Sequence, residues 1–404
     1  AFLFVYLIVT LLLALPALFA EIYIGNQAQK NPVSALGEAC SPRMPRVGRA
    51  IGKLGLCGAI MMLSFYTIVA GWMLAHALSA ISQLAGFGEL SGWLASDSTV
   101  RNIVFTPIFI LLGAAIIHQG VHAGIEKWSA RLMPLLLVML VGLIVYILQQ
   151  EGAQEGLAVY LIPDFSQVTD PKLVISAMGQ AFFSLSIGVG GMMVYGSYMQ
   201  KGKDLGKLVV SIGALDTMIA FLAGLLIIPA LFVAQHAGHQ IFSNDQLIGE
   251  GQLIFQILPA LFNSMGTVGL IVAAGFFSLL SIAALTSTIS STEVPVSYLV
   301  EEKSIARGKA TWLVSTVVLC CSMLLVAYFD VLFALVIRVL TTIFQPLSCL
   351  FYFFVVGWIW NRGNKLTDKA ALDSNIYLKL WGNYLRFVCP VLLTIVFINV
   401  AFIA

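Results

Sequence analysis

Charge is what this chain has least of. Only 10% of its 404 residues are Asp, Glu, Lys or Arg, against roughly 25% in a soluble domain. Hydrophobic residues make up 60%, and mean hydropathy is +0.97. Too few charges remain to solvate a globular surface, so the chain reads as a polytopic membrane protein. The charges nearly cancel, 21 basic against 19 acidic. That removes the electrostatic footprint of a nucleic-acid binder. Cysteine is scarce too: Cys40, Cys57, Cys320, Cys321, Cys349 and Cys389. Four of the six lie in apolar stretches and none forms a spaced set in a polar loop, which excludes metal-ligand spacing and a disulfide framework. The five histidines show no paired metal spacing, and His118 and His122 fall in a turn where solvation accounts for them. There is no phosphate-binding loop, nucleophile elbow or metalloprotease signature, so neither an ATP-driven pump nor an enzyme is indicated.

What is present is a series of long apolar runs. A spanning helix needs about 20 mostly apolar residues. Ten candidates lie near 1–25, 55–86, 102–118, 129–149, 171–199, 207–234, 262–300, 310–328, 330–360 and 383–404. Polar connections lie near 28–54, 87–101, 150–170, 235–261 and 361–380, with no soluble domain between them. Basic residues mark the cytoplasmic loops. Lys30, Arg43, Arg46, Arg49 and Lys53 share one loop; Lys127 and Arg131 follow, then Lys201, Lys203 and Lys207, then Lys303, Arg307 and Lys309, then Arg362, Lys365, Lys369, Lys379 and Arg386. These are 18 of the 21 cations, all on alternate loops, whereas the other loops carry Glu151, Glu155, Asp164 and Asp170. Both ends of the chain are thereby placed outside. The first apolar run starts at Ala1, without an initiator Met, a basic leader or a small-residue cleavage site. The expectation is that another spanning helix precedes it.

Two runs carry unusual polarity. "SAMGQAFFSLSIGVGGMMVYGSY", residues 176–198, holds hydroxyls and glycines at its middle. Loose backbone survives at membrane depth only where it lines a buried cavity, and broken midplane helices are a transporter device. A Gly/Ser face for close helix packing accounts for the same stretch equally well. "SIAALTSTISSTEVPVSY", residues 281–298, tips the balance, although its hydroxyls alone also fit as glue between packed helices. Its Ala283 carbonyl lies beside the Thr286 and Ser287 hydroxyls, and neutral oxygens suit a monovalent cation that must also leave. Three carboxylates, Glu21, Asp216 and Glu293, sit inside apolar runs, where acids are costly and face a partner or a water-filled path. Asp216 reads as functional. Glu293, nearer the inner interface, fits a solvated or structural role as well as a transport role.

At this point the chain resembles the neurotransmitter:sodium symporter family, in its bacterial amino-acid transporter branch. The words that carry the resemblance are "PALFAEIYIGNQAQ", "YTIVAGW", "GIEKWSARLMP", "IPDFSQVTDPKLVISAMGQAFFSLSIGVGG", "YGSY" and "ALTSTISSTEVPVSYLVEE", in family order and spacing over nearly the whole chain. The resemblance implies an all-α integral membrane fold, a five-plus-five inverted repeat. Residues 1–404 would form a single transmembrane transporter domain, family helices two to eleven, with the first family helix missing and family helix six broken around Ser184 to Gly188. It implies that Tyr66 binds a substrate carboxylate and that Phe183 forms the lid. It also implies that Met62, Ser184, Ser186, Val189, Ser287 and Ser291 line the substrate pocket. Ser184 and Asp216 would serve one sodium site and Ala283, Thr286 and Ser287 a second. Tyr6, Gln180, Ser184 and Asp216 surround the position where chloride binds in animal members, and Glu21 braces the unwound segment. With Asp216 supplying a fixed negative charge, chloride is not expected to be required. Counting from Pro229 and counting from Ser184 place Asp216 one residue apart against the family pattern. At the family's outer gate, Asp330 lies about one turn before the aspartate position, which holds Phe333, and Arg338 has no assigned role.

The reading that follows is a multi-pass plasma-membrane transporter coupling sodium entry to uptake of a neutral amino acid. Its partners are the amino acid, sodium and the lipid bilayer. Two alternatives stand beside it: a non-transporting membrane sensor that keeps the fold and binds ligand for signalling, and an inactive fragment lacking the first family helix.

Overall fold

The computed structural model describes residues 1–404 apart from 42, 121–125, 163–164, 166–167, 169, 202–203, 239, 244–245, 248–252, 361–375 and 404. His122, Asp164, Lys203, Arg362, Lys365 and Lys369 therefore lie outside the described residues. Among those described, nine helices are long and apolar enough to cross a bilayer: Phe2–Ala28, Pro45–Leu84, Thr99–Ile117, Lys127–Leu148, Leu205–His236, Gly266–Lys303, Arg307–Ala327, Phe329–Ile359 and Leu380–Ile398. A bilayer offers backbone groups no partners, so an apolar run of this length closes its own hydrogen bonds as helix. The tenth expected span is two short helices, Pro171–Ser184 and Gly191–Tyr198, separated by non-helical backbone at 185–190. Ser184 ends the first of them rather than belonging to the unwound stretch.

Helix starts follow local chemistry. Asn31 and Asp170 each precede a helix whose first residue is proline, and their side chains accept from Val33 N (3.1 Å) and Lys172 N (3.0 Å). Two boundaries differ from the hydropathy reading. The Pro45–Leu84 helix begins inside the polar connection 28–54, because exposed Arg46, Arg49 and Lys53 carry it beyond the apolar run. Residues 262–264 close a separate helix, Leu258–Ser264, and Gly266 at φ +66° turns the chain into Gly266–Lys303. A two-residue ladder pairs Phe242 with Leu247 and Ser243 with Gln246.

Loops that the cations assign to one side meet each other. Asn31 donates from its backbone N and Nδ2 to Glu301 Oε2 (2.7 and 3.0 Å), and the Ser34 hydroxyl donates to Glu302. On the opposite side Asp97 pairs with Arg101 at 3.7 Å. The broken segment lies in the largest apolar cluster, against Phe2–Ala28 and the 345–360 stretch. Crossing there is backbone on backbone: a Cβ on Gly25 would stand 1.9 Å from Met193 O, and one on Gly196 would stand 2.4 Å from Ile22 O.

Candidate functional site

The break at 185–190 is built from left-handed backbone. Gly188 and Gly190 adopt φ +89° and +85°, and Ser186 adopts φ +52°. Lost helical hydrogen bonds must be replaced in a buried site. Glu21, fully buried, accepts from Gly188 N (2.8 Å) and Met192 N (3.2 Å). Gln345 Nε2 donates to Ile187 O (2.9 Å), and the Tyr352 hydroxyl donates to Gly188 O (3.3 Å). Three side chains from distant segments thus hold the broken backbone in place.

Beside the break lies a cavity of about 270 Å³. It is lined by Met62, Leu63 and Tyr66 from Pro45–Leu84, Gln180, Phe183, Ser184 and Ser186 from the broken segment, Asp216 from Leu205–His236, and Ser287 and Ser291 from Gly266–Lys303. Tyr66 and Ser287 interact through their hydroxyls. The Ser184 hydroxyl reaches both Asp216 oxygens at 2.9 Å, so the two meet whichever anchor is used to count. Among the described residues, Asp216 is the one charged residue in this lining. Next to the pair, the Tyr6 hydroxyl faces Ser184, Thr10 and Asp216, yet it and the Thr10 hydroxyl are buried without a hydrogen bond. Asp216, Ser184, Tyr6 and Thr10 thus gather one carboxylate and three hydroxyls beside the cavity. Ala283 and Thr286 precede Ser287 on the same helix, outside the cavity lining, and the Thr286 hydroxyl donates to Ala283 O at 2.8 Å.

Val189 is not part of the lining. Its side chain is buried in an apolar cluster with Met62, Phe65 and Val194 that packs against Tyr66 and Phe183 of the cavity wall. Leu63 stands in the wall instead, a residue without any polar signal in the sequence. Gln345 and Tyr352 were also missed; a glutamine inside the apolar run "TTIFQPLSCL" was the available clue. Glu293 is neither solvated nor part of the cavity. It is fully buried, and it accepts from Arg307 Nη1 (3.1 Å), Arg307 Nη2 and the Tyr198 hydroxyl.

Known proteins agree with this architecture. A family model described as the sodium:neurotransmitter symporter family matches residues 95–403. An uncharacterized sodium-dependent transporter of Haemophilus influenzae is 31% identical, over 99% of this chain and 90% of that protein. The uncharacterized sodium-dependent transporter YhdH of Bacillus subtilis is 28% identical, over 99% and 89%. The crystal structure of MhsT in complex with L-phenylalanine matches with a TM-score of 0.84 at 33% identity, over 99% of this chain and 91% of that one.

Proposed function

This chain belongs to the sodium:neurotransmitter symporter family, and we propose that it carries a neutral amino acid into the cell with sodium, as one transport domain spanning residues 1–404. The observation that carries this reading is the cavity at the break. Helices from both halves of the chain wall it, and its single charge, Asp216, is turned to a serine. An anionic substrate side chain would meet Asp216 without a counter-charge, and with sodium on Asp216 a cationic one would find no other partner; buried unpaired charge is costly. The Tyr66 hydroxyl is positioned to donate to a substrate carboxylate, a charge-assisted bond, with Phe183 covering the apolar remainder. The phenylalanine held by MhsT is consistent with a neutral side chain of this kind.

Sodium enters as a co-transported substrate. Ser184 and Asp216 offer one oxygen set. The Ala283 carbonyl with the Thr286 and Ser287 hydroxyls offers the other, without formal charge, so the ion can leave. Asp216 also supplies the negative charge that bound cations need, which makes chloride dispensable. The test is uptake of radiolabelled neutral amino acids by proteoliposomes holding the full gene product. Uptake should require sodium, persist when gluconate replaces chloride, and lose sodium affinity in the Thr286→Ala/Ser287→Ala double variant. Sodium-independent uptake overturns the coupling; a strict chloride requirement overturns the role of Asp216.

A further inference from the structure

We propose that Phe333 is the middle ring of an uncharged aromatic plug that closes the cavity toward the outer face. Two spaces lie on that side of the molecule. The inner one is the 270 Å³ cavity bounded by Phe183. The outer one is a vestibule of about 670 Å³, lined by Trp72, Phe255 and Phe329 among others. A continuous run of rings separates them. Phe65 stacks on Phe183 at 6.1 Å between ring centroids. Phe333 meets Phe65 edge-on at 6.2 Å and an interplanar angle of 89°. On its other side Phe333 stacks with Phe329 at 4.5 Å and with Trp72 at 6.0 Å. Phe333 lines neither space, yet it touches rings that reach both. Spacings of this kind are favourable aromatic contacts.

The rings come from separable elements. Phe65 and Trp72 stand on the long, well-buried Pro45–Leu84 helix, and Phe183 stands at the break. Phe329 and Phe333 stand on Phe329–Arg338, whose side chains are half-buried or exposed. That helix starts at Tyr328, which is non-helical at φ −121° and ψ 44°, and it runs into a wider-wound π segment at Val339–Phe344. The helix packs on the neighbouring apolar cluster through half-buried side chains, Phe329, Leu332, Phe333, Val336 and Ile337, and the wider-wound segment gives it a joint about which it can move. Its outward movement would lift Phe333 and Phe329 together and join the two spaces. No charge lies within the ring run, so closure rests on apolar burial.

This inference rests on the cavity being the substrate site, and the test separates the two. In vesicles bearing the full gene product, Ser291→Cys places a thiol in the cavity wall, to be modified by a membrane-impermeant methanethiosulfonate added outside. Phe333→Ala should raise that modification rate by about tenfold or more, since a deleted ring leaves a void in a packed site. Phe333→Leu, which keeps bulk, should raise it far less. Phe65→Leu tests the plug from the opposing helix if Phe333→Ala does not fold. Dissociation of bound tritiated phenylalanine should quicken in the same order. Equal modification rates in folded variants overturn the plug. If the protein with Ser291 intact binds no amino acid while Phe333→Ala still speeds modification of the reporter, the plug stands and the substrate reading is overturned.

Discussion

Toward the outer face the cavity is covered by rings, Phe65, Phe333, Trp72 and Phe329, none of them charged. Toward the face bearing the basic loops, the neighbouring segments are joined by a buried ion pair. Glu293 accepts from both terminal nitrogens of Arg307 and, at 2.5 Å, from the Tyr198 hydroxyl. Arg307 Nε reaches Ile117 O at 3.2 Å. Four segments are tied at one point: the Gly191–Tyr198 half of the broken helix, Gly266–Lys303, Arg307–Ala327 and the end of Thr99–Ile117. Apolar contacts are non-directional and weaken gradually as surfaces part. A buried ion pair is close to all-or-none, because parting it strands charge in a medium that cannot solvate it. The two ends of one path are therefore expected to yield differently, the outer gradually and the inner abruptly.

The largest effect should come from breaking the inner end. Arg307→Ala removes the bidentate partner of a fully buried carboxylate. Removing one member of such a pair costs about 3–5 kcal/mol. Thermal unfolding of the detergent-purified protein should show that loss. Replacing both Glu293 and Arg307 with Met should cost far less than the two single changes added together, because no charge is left stranded. A single-variant cost below about 1 kcal/mol, the range of exposed pairs, would mean that the inner end is no ionic lock, and the contrast would collapse.

Hydropathy carried the spans, since lipid leaves the backbone only one local solution. Glycine and serine at mid-span marked the break, although those residues alone did not separate a cavity wall from a packing face. The distant partners were not legible. Gln345 stands 158 positions from Ile187, and no local pattern ties a glutamine to a carbonyl that far away. The resemblance assigned Ser184, Asp216, Tyr66 and Ser287 to one neighbourhood, and they share one cavity lining. It also placed Val189 there, but Val189 stands one layer back, in the apolar cluster behind Met62, Tyr66 and Phe183. Glu293 stayed ambiguous because depth along a helix does not reveal whether an arginine waits across the gap.

A smaller effect should follow at the rim of the outer end. The Trp72 indole nitrogen donates to Asn102 Oδ1 at 2.7 Å, and the Arg101 guanidinium lies 5.9 Å from the Trp72 ring. Trp72→Phe removes the hydrogen bond and keeps a ring against Phe333. The loss should be about 0.5–1.5 kcal/mol, that of an ordinary neutral hydrogen bond. Labelling of the Ser291→Cys reporter from outside should scarcely change. If Trp72→Phe opened the cavity as far as Phe333→Ala does, a polar bond would be holding the outer end, and the two ends would be closed by similar means.

The smallest effect should come from a charge pair on the inner face that is not buried. Lys30 Nζ lies 3.0 Å from Glu38 Oε2, closer than many strong pairs, yet their side chains are 55% and 43% exposed. Water solvates both charges whether or not they meet. The Coulomb gain is then largely cancelled by side-chain ordering and screened by salt. Lys30→Ala should cost about 0.2–1 kcal/mol at most, and that cost should shrink further in high salt. Lys30 and Arg307 share a face, a sign and a carboxylate partner; they differ in burial. If Lys30→Ala destabilised the protein as much as Arg307→Ala, the strength of the inner end would come from its charge pattern and not from desolvation. A wide gap between the two variants would assign it to desolvation, the one property that sets the Glu293 lock apart from both the exposed pair and the rings at the other end.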